Sequence, residues 1–264
     1  MGLITFFLPE RPPRQLIYAG DRHAEIVRLQ KKRIVDRTRI EGAALAESAD
    51  AAWTRIVSGL RPVDSGIVFN ASPFIYNFFE FDKLPWQKKT LDELVTWRLQ
   101  KIFPENIEAY DHRFFRLDGK RVLSILVKKA LLERIEGLFA ERRLPLTYIG
   151  NSTMEILSRS LRAKSPPDFF LESDQTGCTL VFQNQRTPIY IRKFKSITAA
   201  DTVDEITKTV NFVHNNYHID PRRYWLIEHR DEATAAAMEE QLAGADFSRQ
   251  RTGLGAAPHL PACP

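Results

Sequence analysis

Three runs decide the fold: Asp168-Phe-Phe-Leu-Glu172, Cys178-Thr-Leu-Val-Phe-Gln183 and Pro188-Ile-Tyr-Ile-Arg-Lys-Phe194. Each is rich in aromatic and β-branched residues and is the length of one strand, and Gln183-Asn184-Gln185 supplies the turn between the last two. Thr202 to Tyr217 then carries Val203, Ile206, Val210 and Val213 at helical spacing. Tyr224 to Ile227 reads as a further strand and Glu232 to Leu242 as a further helix. Toward the amino terminus the same order recurs. Leu16 to Ala19, Glu25 to Leu29 and Ile34 to Ile40 are strands, with a turn at Lys31-Lys32-Arg33. Glu41 to Leu60 is helical, with Leu45, Trp53, Ile56, Val57 and Leu60 largely on one face, and Gly59 and Pro62 close it. Ile67 to Ala71 is the strand that follows.

Strand-strand-strand-helix-strand therefore occurs twice, as a repeat of element order and not of residues. A three-strand meander joined by a crossover helix to another strand is the ribonuclease-H-like unit. Two such units in one chain predict an α/β protein of actin-like architecture, with a cleft between lobes. The block between them reads differently. Phe74 to Phe81 is an aromatic strand, and Thr90-Leu-Asp-Glu93 has capping-box spacing before a helix that stops ahead of Pro104. Ala109 to Leu117 and Arg121 to Val127 form a hairpin around Asp118-Gly119. Ala130 to Arg143 is helical, Leu146 to Ile149 is a strand, and Ser152-Thr-Met-Glu155 is a second capping box. The expected division is residues 1–71 and 120–165 for the first lobe and 72–119 for an insertion. The second lobe is 166–250, with a Ser-Pro-Pro hinge near Ala163–Pro167, and 251–264 is a flexible tail.

The 264 residues are 44% hydrophobic and 27% charged, which excludes disordered, collagen-like and coiled-coil chains. No run approaches the ~18 apolar residues of a membrane span. The stretch Leu3 to Leu8 is short and closed by Pro9, without the cationic start of a secretory signal, and Phe6 breaks the myristoylation pattern. Cys178 and Cys263 make neither a disulfide framework nor a zinc spacing, so a reducing, cytoplasmic setting is expected. The net charge is +5. Between Arg11 and Arg39 nine cations face only Asp21, Glu25 and Asp36, a local surplus larger than that of the whole chain. Two readings stay open: a charge-guarded hairpin edge, or a surface for anionic lipid or nucleic acid in which Lys31, Lys32 and Arg33 face the membrane.

Other chemistry finds little support. His214-Asn-Asn-Tyr-His218 spaces two imidazoles one turn apart but has Asn215 where a metalloprotease helix needs Glu, and reads as a polar helix end; no metal site is expected. Gly253-Leu-Gly255 lies in an Ala/Pro tail and not between strand and helix. No phosphate-cradling Gly-rich run ends in Lys-Ser or Lys-Thr. A two-metal nuclease needs clustered carboxylates, yet Tyr18 stands where the first copy would offer one, so nucleic acid is not an expected partner. Cys178 reads as a small core residue.

Val95-Thr-Trp-Arg-Leu-Gln-Lys-Ile-Phe-Pro104 followed by Ala109-Tyr-Asp-His112 resembles the PilM-like actin-fold proteins of type IV pilus assembly. There a helix ending in Ile-Pro-Phe precedes an aspartate-led strand. The GspL-like cytoplasmic domains of type II secretion share the architecture. The resemblance spans roughly Leu16 to Phe247 and implies an actin-like scaffold, cytoplasmic and peripheral to the inner membrane. It would dock the tail of a PilN-like bitopic membrane protein, with the assembly motor ATPase and a second copy as further partners. The aromatic cluster Phe74, Tyr76, Phe78, Trp86 and Trp97 is either the core of the insertion or a groove floor for that tail. Leu3-Ile-Thr-Phe-Phe-Leu-Pro9 resembles the Ile-Asn-Leu-Leu-Pro motif of such tails, and reads either as a segment that docks on a groove or as an edge strand.

The same family binds ATP between its lobes through glycine-bearing turns with adjoining aspartates. This sequence departs at each element. An Asp-Ile-Gly followed by lysine is replaced by Tyr18-Ala-Gly20 with Glu25 at the lysine position. The second such motif is replaced by Glu172-Ser-Asp174 ahead of Gly177, and the adenosine glycines by Glu228-His229-Arg230. Lys195-Ser-Ile-Thr198 runs almost directly into the next helix, where an adenine-covering subdomain is usual. A carboxylate ~4 Å from a phosphate charge costs roughly 4 kcal/mol at an effective dielectric of about 20. The expectation is a non-catalytic, nucleotide-free scaffold without cofactor; the alternative is an actin-fold ATPase with an atypical phosphate site.

Overall fold

A computed structural model of the chain describes residues 13–20, 23–31, 33–41, 50–103, 106–173, 177–195, 198–228 and 232–250. In chain order, β1 (Gln15–Ala19), β2 (His23–Gln30) and β3 (Arg33–Glu41) form an antiparallel meander. Helix α1 (Asp50–Ser58) precedes β4 (Ser65–Phe69), which runs parallel to β1. Then come β5 (Phe74–Glu80), α2 (Lys88–Ile102), β6 (Tyr110–Arg116), β7 (Arg121–Lys128) and α3 (Lys129–Glu141). Strand β8 (Leu146–Asn151) pairs with β4 and leads straight into α4 (Ser152–Arg162). The second meander is β9 (Phe169–Ser173), β10 (Cys178–Asn184) and β11 (Thr187–Phe194). Helix α5 (Ala199–Tyr217), β12 (Arg223–Glu228), α6 (Glu232–Gly244) and the short β13 (Ser248–Arg249) complete it.

The two five-stranded sheets have matching orders, β3-β2-β1-β4-β8 and β11-β10-β9-β12-β13. In each, the fourth strand returns parallel beside the first strand of the meander, so the repeated element order is a repeated topology. Period-2 alternation sorts the side chains of the second sheet. Phe169 and Leu171 join Ile206, Val210 and Val213 of α5 and Met238 and Leu242 of α6 in one core. Phe170 and Glu172 point to the other face, and Glu172 reaches α4. Because both faces are covered, β9 is buried at every position. In the first sheet Leu16, Tyr18, Val27, Val68 and Tyr148 cluster on one face, while α1 buries Trp53, Ile56 and Val57, with Trp53 against Phe69.

Residues Pro73–Gly137 form a separate compact unit, and Met1–Ser72 with Leu138–Pro264 form the other. This moves the expected boundary of the insertion. Residues 120–137 were expected in the first lobe, but β7 is the central strand of the three-stranded sheet β5-β7-β6 and has both edges occupied there. Within this unit Phe79, Val122 and Leu126 pack against Leu91, Val95 and Leu99 of α2. Asp118 holds the β6–β7 turn by accepting the Lys120 and Arg121 amides, each at 2.8 Å.

Local rules shift other boundaries. Helix α2 starts at Lys88 with Gln87 as its N-cap, so Thr90 lies inside the helix and caps nothing. Helix α4 is capped by Asn151, which accepts the Met154 amide at 3.0 Å and frees the hydroxyl of Ser152 for another partner. A reciprocal capping box sits instead at Thr198 and Asp201, starting α5. The β10–β11 turn is one residue later than expected, at Gln185 and Arg186, both with positive φ (46° and 72°). For the first crossover helix only Asp50–Ser58 is described; residues 42–49 lie outside the described residues.

Candidate functional site

The carboxyl ends of β1, β4, β9 and β12 are where an open α/β sheet presents a ligand site. At the second sheet, one rung of register runs through Ile227, Glu172, Thr179 and Lys193. Glu172 is 3% exposed. Its carboxylate accepts the hydroxyl of Ser152 and, at 2.5 Å, that of Thr153, the first two residues of α4. An acid at the amino end of a helix is favoured by the helix dipole as well as by these bonds. Two strands away, Lys193 Nζ donates to the carbonyls of Ala71 (2.9 Å) and Ser72 (2.8 Å), just after β4. The rung thus grips the first sheet's side at two points.

Helix α4 carries polar links to both sheets. Tyr148 on β8 donates its hydroxyl to Glu155, and Ser160 donates to Gln183 on β10 at 2.8 Å. Burial, and then the neighbouring Glu155 carboxylate, push the Tyr148 hydroxyl far above its ordinary range, so it stays a donor. Gly150 makes this geometry possible: a Cβ there would lie 2.0 Å from Tyr148 Oη. Sequence reading missed this trio; the Tyr-Ile-Gly run at the end of an apolar strand was its only signal.

The other expected crevice residues are placed as follows. Tyr18 is 1% exposed, faces the core cluster and packs its ring beside His23. Glu25, opposite Tyr18 in register, is buried and paired with Arg37 at 2.7 Å. Its charge is therefore answered by a neighbour on β3. Gly20 closes the β1–β2 turn by donating its amide to the His23 carbonyl. At Gly177 a Cβ would come within 2.6 Å of the Phe194 carbonyl, so this glycine serves a close approach of β11 and not an open cradle. Glu228 ends β12 opposite Ser173. Asp174 and His229 lie outside the described residues. Helix α5 begins at Ala199, five positions after β11 ends at Phe194. Among the described residues no three His, Cys, Asp or Glu side chains are grouped to hold a metal ion.

The aromatic set does not form one surface. In the inserted unit Phe74, Tyr76 and Phe78 share the face of β5 turned away from α2, and Phe74 is buried at 1% exposure. Trp97 lies on α2, under Lys101 Nζ at 3.8 Å, and is exposed. Trp86 precedes α2 and is 90% exposed, with the Arg116 guanidinium over its ring. His218 sits outside the helical spacing, in a left-handed conformation at the end of α5, and His214 Nδ1 bonds the Ile219 carbonyl at 3.1 Å, so the two imidazoles do not share a helix face. Lys31 and Arg33 are exposed at the tip of the β2–β3 hairpin, and Lys32 lies outside the described residues, as does Leu3-Ile-Thr-Phe-Phe-Leu-Pro9. A pocket of ≈ 200 Å³ lies at the opposite end of β9, lined by Pro167, Asp168, Gln183, Arg186, Asp220 and Arg223. It is smaller than the ~300–1,000 Å³ of common ligand sites.

No protein-family model and no curated protein matches this sequence. Solved structures do. A chain of the PilM–PilN type IV pilus biogenesis complex matches with a TM-score of 0.68 at 11% identity, over 89% of this chain and 87% of that one. The cytoplasmic domain of EpsL, an inner-membrane component of the type II secretion system of Vibrio cholerae, matches with a TM-score of 0.56 at 9% identity, over 92% of this chain and 98% of that one. A Bacteroides thetaiotaomicron protein of actin-like ATPase fold and unknown function matches with a TM-score of 0.58 at 8% identity, over 89% and 90%. At these identities the likeness concerns architecture: two meander-and-crossover sheets with an inserted three-stranded unit give this chain the actin-like fold, in the form that the PilM–PilN and EpsL structures resemble.

Proposed function

We propose that this chain is a non-catalytic actin-like scaffold of an inner-membrane platform, in type IV pilus assembly or type II secretion, that binds the cytoplasmic tail of a PilN-like membrane protein. The observation that carries the non-catalytic part is Glu172. Its carboxylate occupies the amino end of α4 and is held by two hydroxyls, in the part of the fold where a phosphate would need donors. A triphosphate approaching this point meets a fixed negative charge, and Lys193, the nearest cation on the same rung, is committed to two backbone carbonyls. The platform part rests on the likeness to the PilM–PilN and EpsL structures. It also accords with the finding that no helix of the described residues is long and apolar enough to cross a membrane. Trp97 and Trp86, exposed on the inserted unit, are the rings offered for the tail, and the motor ATPase and a second copy stay as further partners of this reading.

Calorimetric titration tests both parts on the same protein. Mg-ATP gives no heat, and a PilN-type tail peptide binds and loses affinity about tenfold or more in Trp97→Ala, the loss of a mid-sized hot spot. Micromolar ATP binding with turnover would replace this reading by the ATPase alternative. A silent tail peptide would remove the partner while leaving the nucleotide-free crevice standing.

A further inference from the structure

We propose that the tip of the β2–β3 hairpin is a direct contact for anionic lipid headgroups. The turn is tight: Gln30 pairs with Arg33 across it, and Lys31 takes positive φ (47°). A bulge between Arg28 and Leu29 leaves Val35 as the extra residue on β3, which re-aims the strand next to the tip. As a result Ile34 (42% exposed) and Val35 (57% exposed), adjacent aliphatic residues, are both open to solvent beside Lys31 and Arg33. Among the described residues Asp36 is engaged by Arg28 and Asp64 by Arg14. Lys31 and Arg33 are exposed and make no ion pair among the described residues. Arg37, farther along β3, answers Glu25.

Cations beside exposed aliphatics at a hairpin tip match a membrane interface, where ammonium and guanidinium groups meet phosphates and short apolar side chains enter the acyl boundary. A single-stranded nucleic acid would ask for aromatic platforms, and none of the exposed large hydrophobic residues at this tip is aromatic. The proposal goes beyond the partner-tail reading. It is tested without any partner present, so the two stand or fall separately.

The experiment is co-sedimentation of the full chain with vesicles of phosphatidylglycerol and phosphatidylethanolamine, against vesicles of phosphatidylcholine alone, at low and at physiological salt. Binding is expected only to the anionic vesicles and weaker in salt. Each basic residue near such a surface is worth about fivefold in partitioning, so Lys31→Gln with Arg33→Gln lowers binding about 25-fold. Ile34→Ser with Val35→Ser lowers it further at unchanged charge. A control with the same charge loss at exposed sites elsewhere, Arg142→Gln with Lys195→Gln, keeps most of the binding. Unaltered melting curves show that the variants fold. No binding to anionic vesicles overturns the proposal, and so does equal loss in the control pair, which would mean net charge alone. Tail-peptide or DNA binding that falls in the tip variants while vesicle binding does not would give the hairpin to another partner and also overturn it.

Discussion

Removing the Glu172 side chain is the sharpest perturbation this fold offers. Glu172→Ala deletes a carboxylate that is 3% exposed and accepts two hydroxyl hydrogen bonds, from Ser152 and from Thr153 at 2.5 Å. A hydrogen bond to a charged group is worth about 1.5–3 kcal/mol, and the variant leaves both donors buried at the start of α4 with a void beside them. Together these place the loss at about 3–5 kcal/mol, against the ~5–15 kcal/mol that keeps a domain folded. At roughly 2–4 °C per kcal/mol for a unit of this size, the melting temperature falls by about 10 °C. Glu172→Gln keeps the shape and one carbonyl oxygen, and a hydroxyl can turn to accept from its amide, so its loss is about 1–2 kcal/mol. Thermal and urea unfolding followed by circular dichroism reads both. The rival account, an acid kept for an incoming cation or nucleotide, predicts the opposite sign. Such a residue is strained in the empty site, and its replacement leaves stability unchanged or raises it. A melting temperature of Glu172→Ala equal to or above that of the parent therefore refutes a structural role for the Glu172 bonds to α4.

Three further outcomes follow from the same geometry. Gly150→Ala sets a Cβ 2.0 Å from Tyr148 Oη and displaces the ring from Glu155, so urea unfolding should show a loss of at least the ~1–3 kcal/mol of ordinary overpacking. Lys193→Met removes two carbonyl contacts of a partly exposed ammonium and costs about 1 kcal/mol; combined with Glu172→Gln it couples by ~0.5 kcal/mol or more, measured in a double-mutant cycle, because both act through one rung. Burial pushes the Asp168 carboxyl up, but the Arg223 guanidinium and the amides of Arg223 and Arg222 outweigh it and hold the group below its ordinary value. Its folded pKa thus lies below the unfolded one, so its contribution to stability is complete above pH ~5 and is lost as pH falls through the folded value. Asp168→Asn removes that contribution at neutral pH, and the gap to the parent in urea titrations closes in acid.

What the sequence disclosed and what it hid divide along physical lines. The second meander was legible because every residue of β9 is buried and the strand is bounded by turn residues, so pattern and burial agree. Helix α5 was legible because Val203, Ile206, Val210 and Val213 keep one period over its whole length. The boundary at β7 was not, since Val122 to Val127 is apolar on both faces and fits any central strand; only pairing with β5 and β6 assigns it to the inserted sheet. The capping box read at Ser152 shows a different limit. Spacing identifies a hydroxyl and a carboxylate that could reach each other, but Asn151 had the better position and Ser152 went to Glu172, twenty residues on. The sequence offered only residue types at Tyr18, Glu25 and Glu172 and not their partners. Their arrangement, with Glu25 paired to Arg37 and Glu172 bound to α4, depends on contacts across strands and elements that no linear motif records.

Helix α4 ties the buried polar groups of the two five-stranded sheets together. It is short, and it is buried at Ser152, Thr153, Met154, Glu155, Ile156, Leu157 and Ser160, so most of its circumference is enclosed. A helix so enclosed must find partners for every polar group it carries, because each buried donor left unmet costs about 1–3 kcal/mol. Here the first turn is satisfied from the second sheet through Glu172, the next from the first sheet through Tyr148, and the last from the second sheet again through Gln183. In a fold that opens and closes around a ligand, such partners would have to be exchanged at each cycle. Alternating attachment to both sheets by buried hydrogen bonds favours a single arrangement instead, as a scaffold requires. Native-state hydrogen exchange distinguishes the two. If α4 and β9 exchange only with global unfolding, the two sheets act as one body; faster exchange confined to residues 151–160 and 169–173 would mean that they part, and the scaffold reading would lose its mechanical basis.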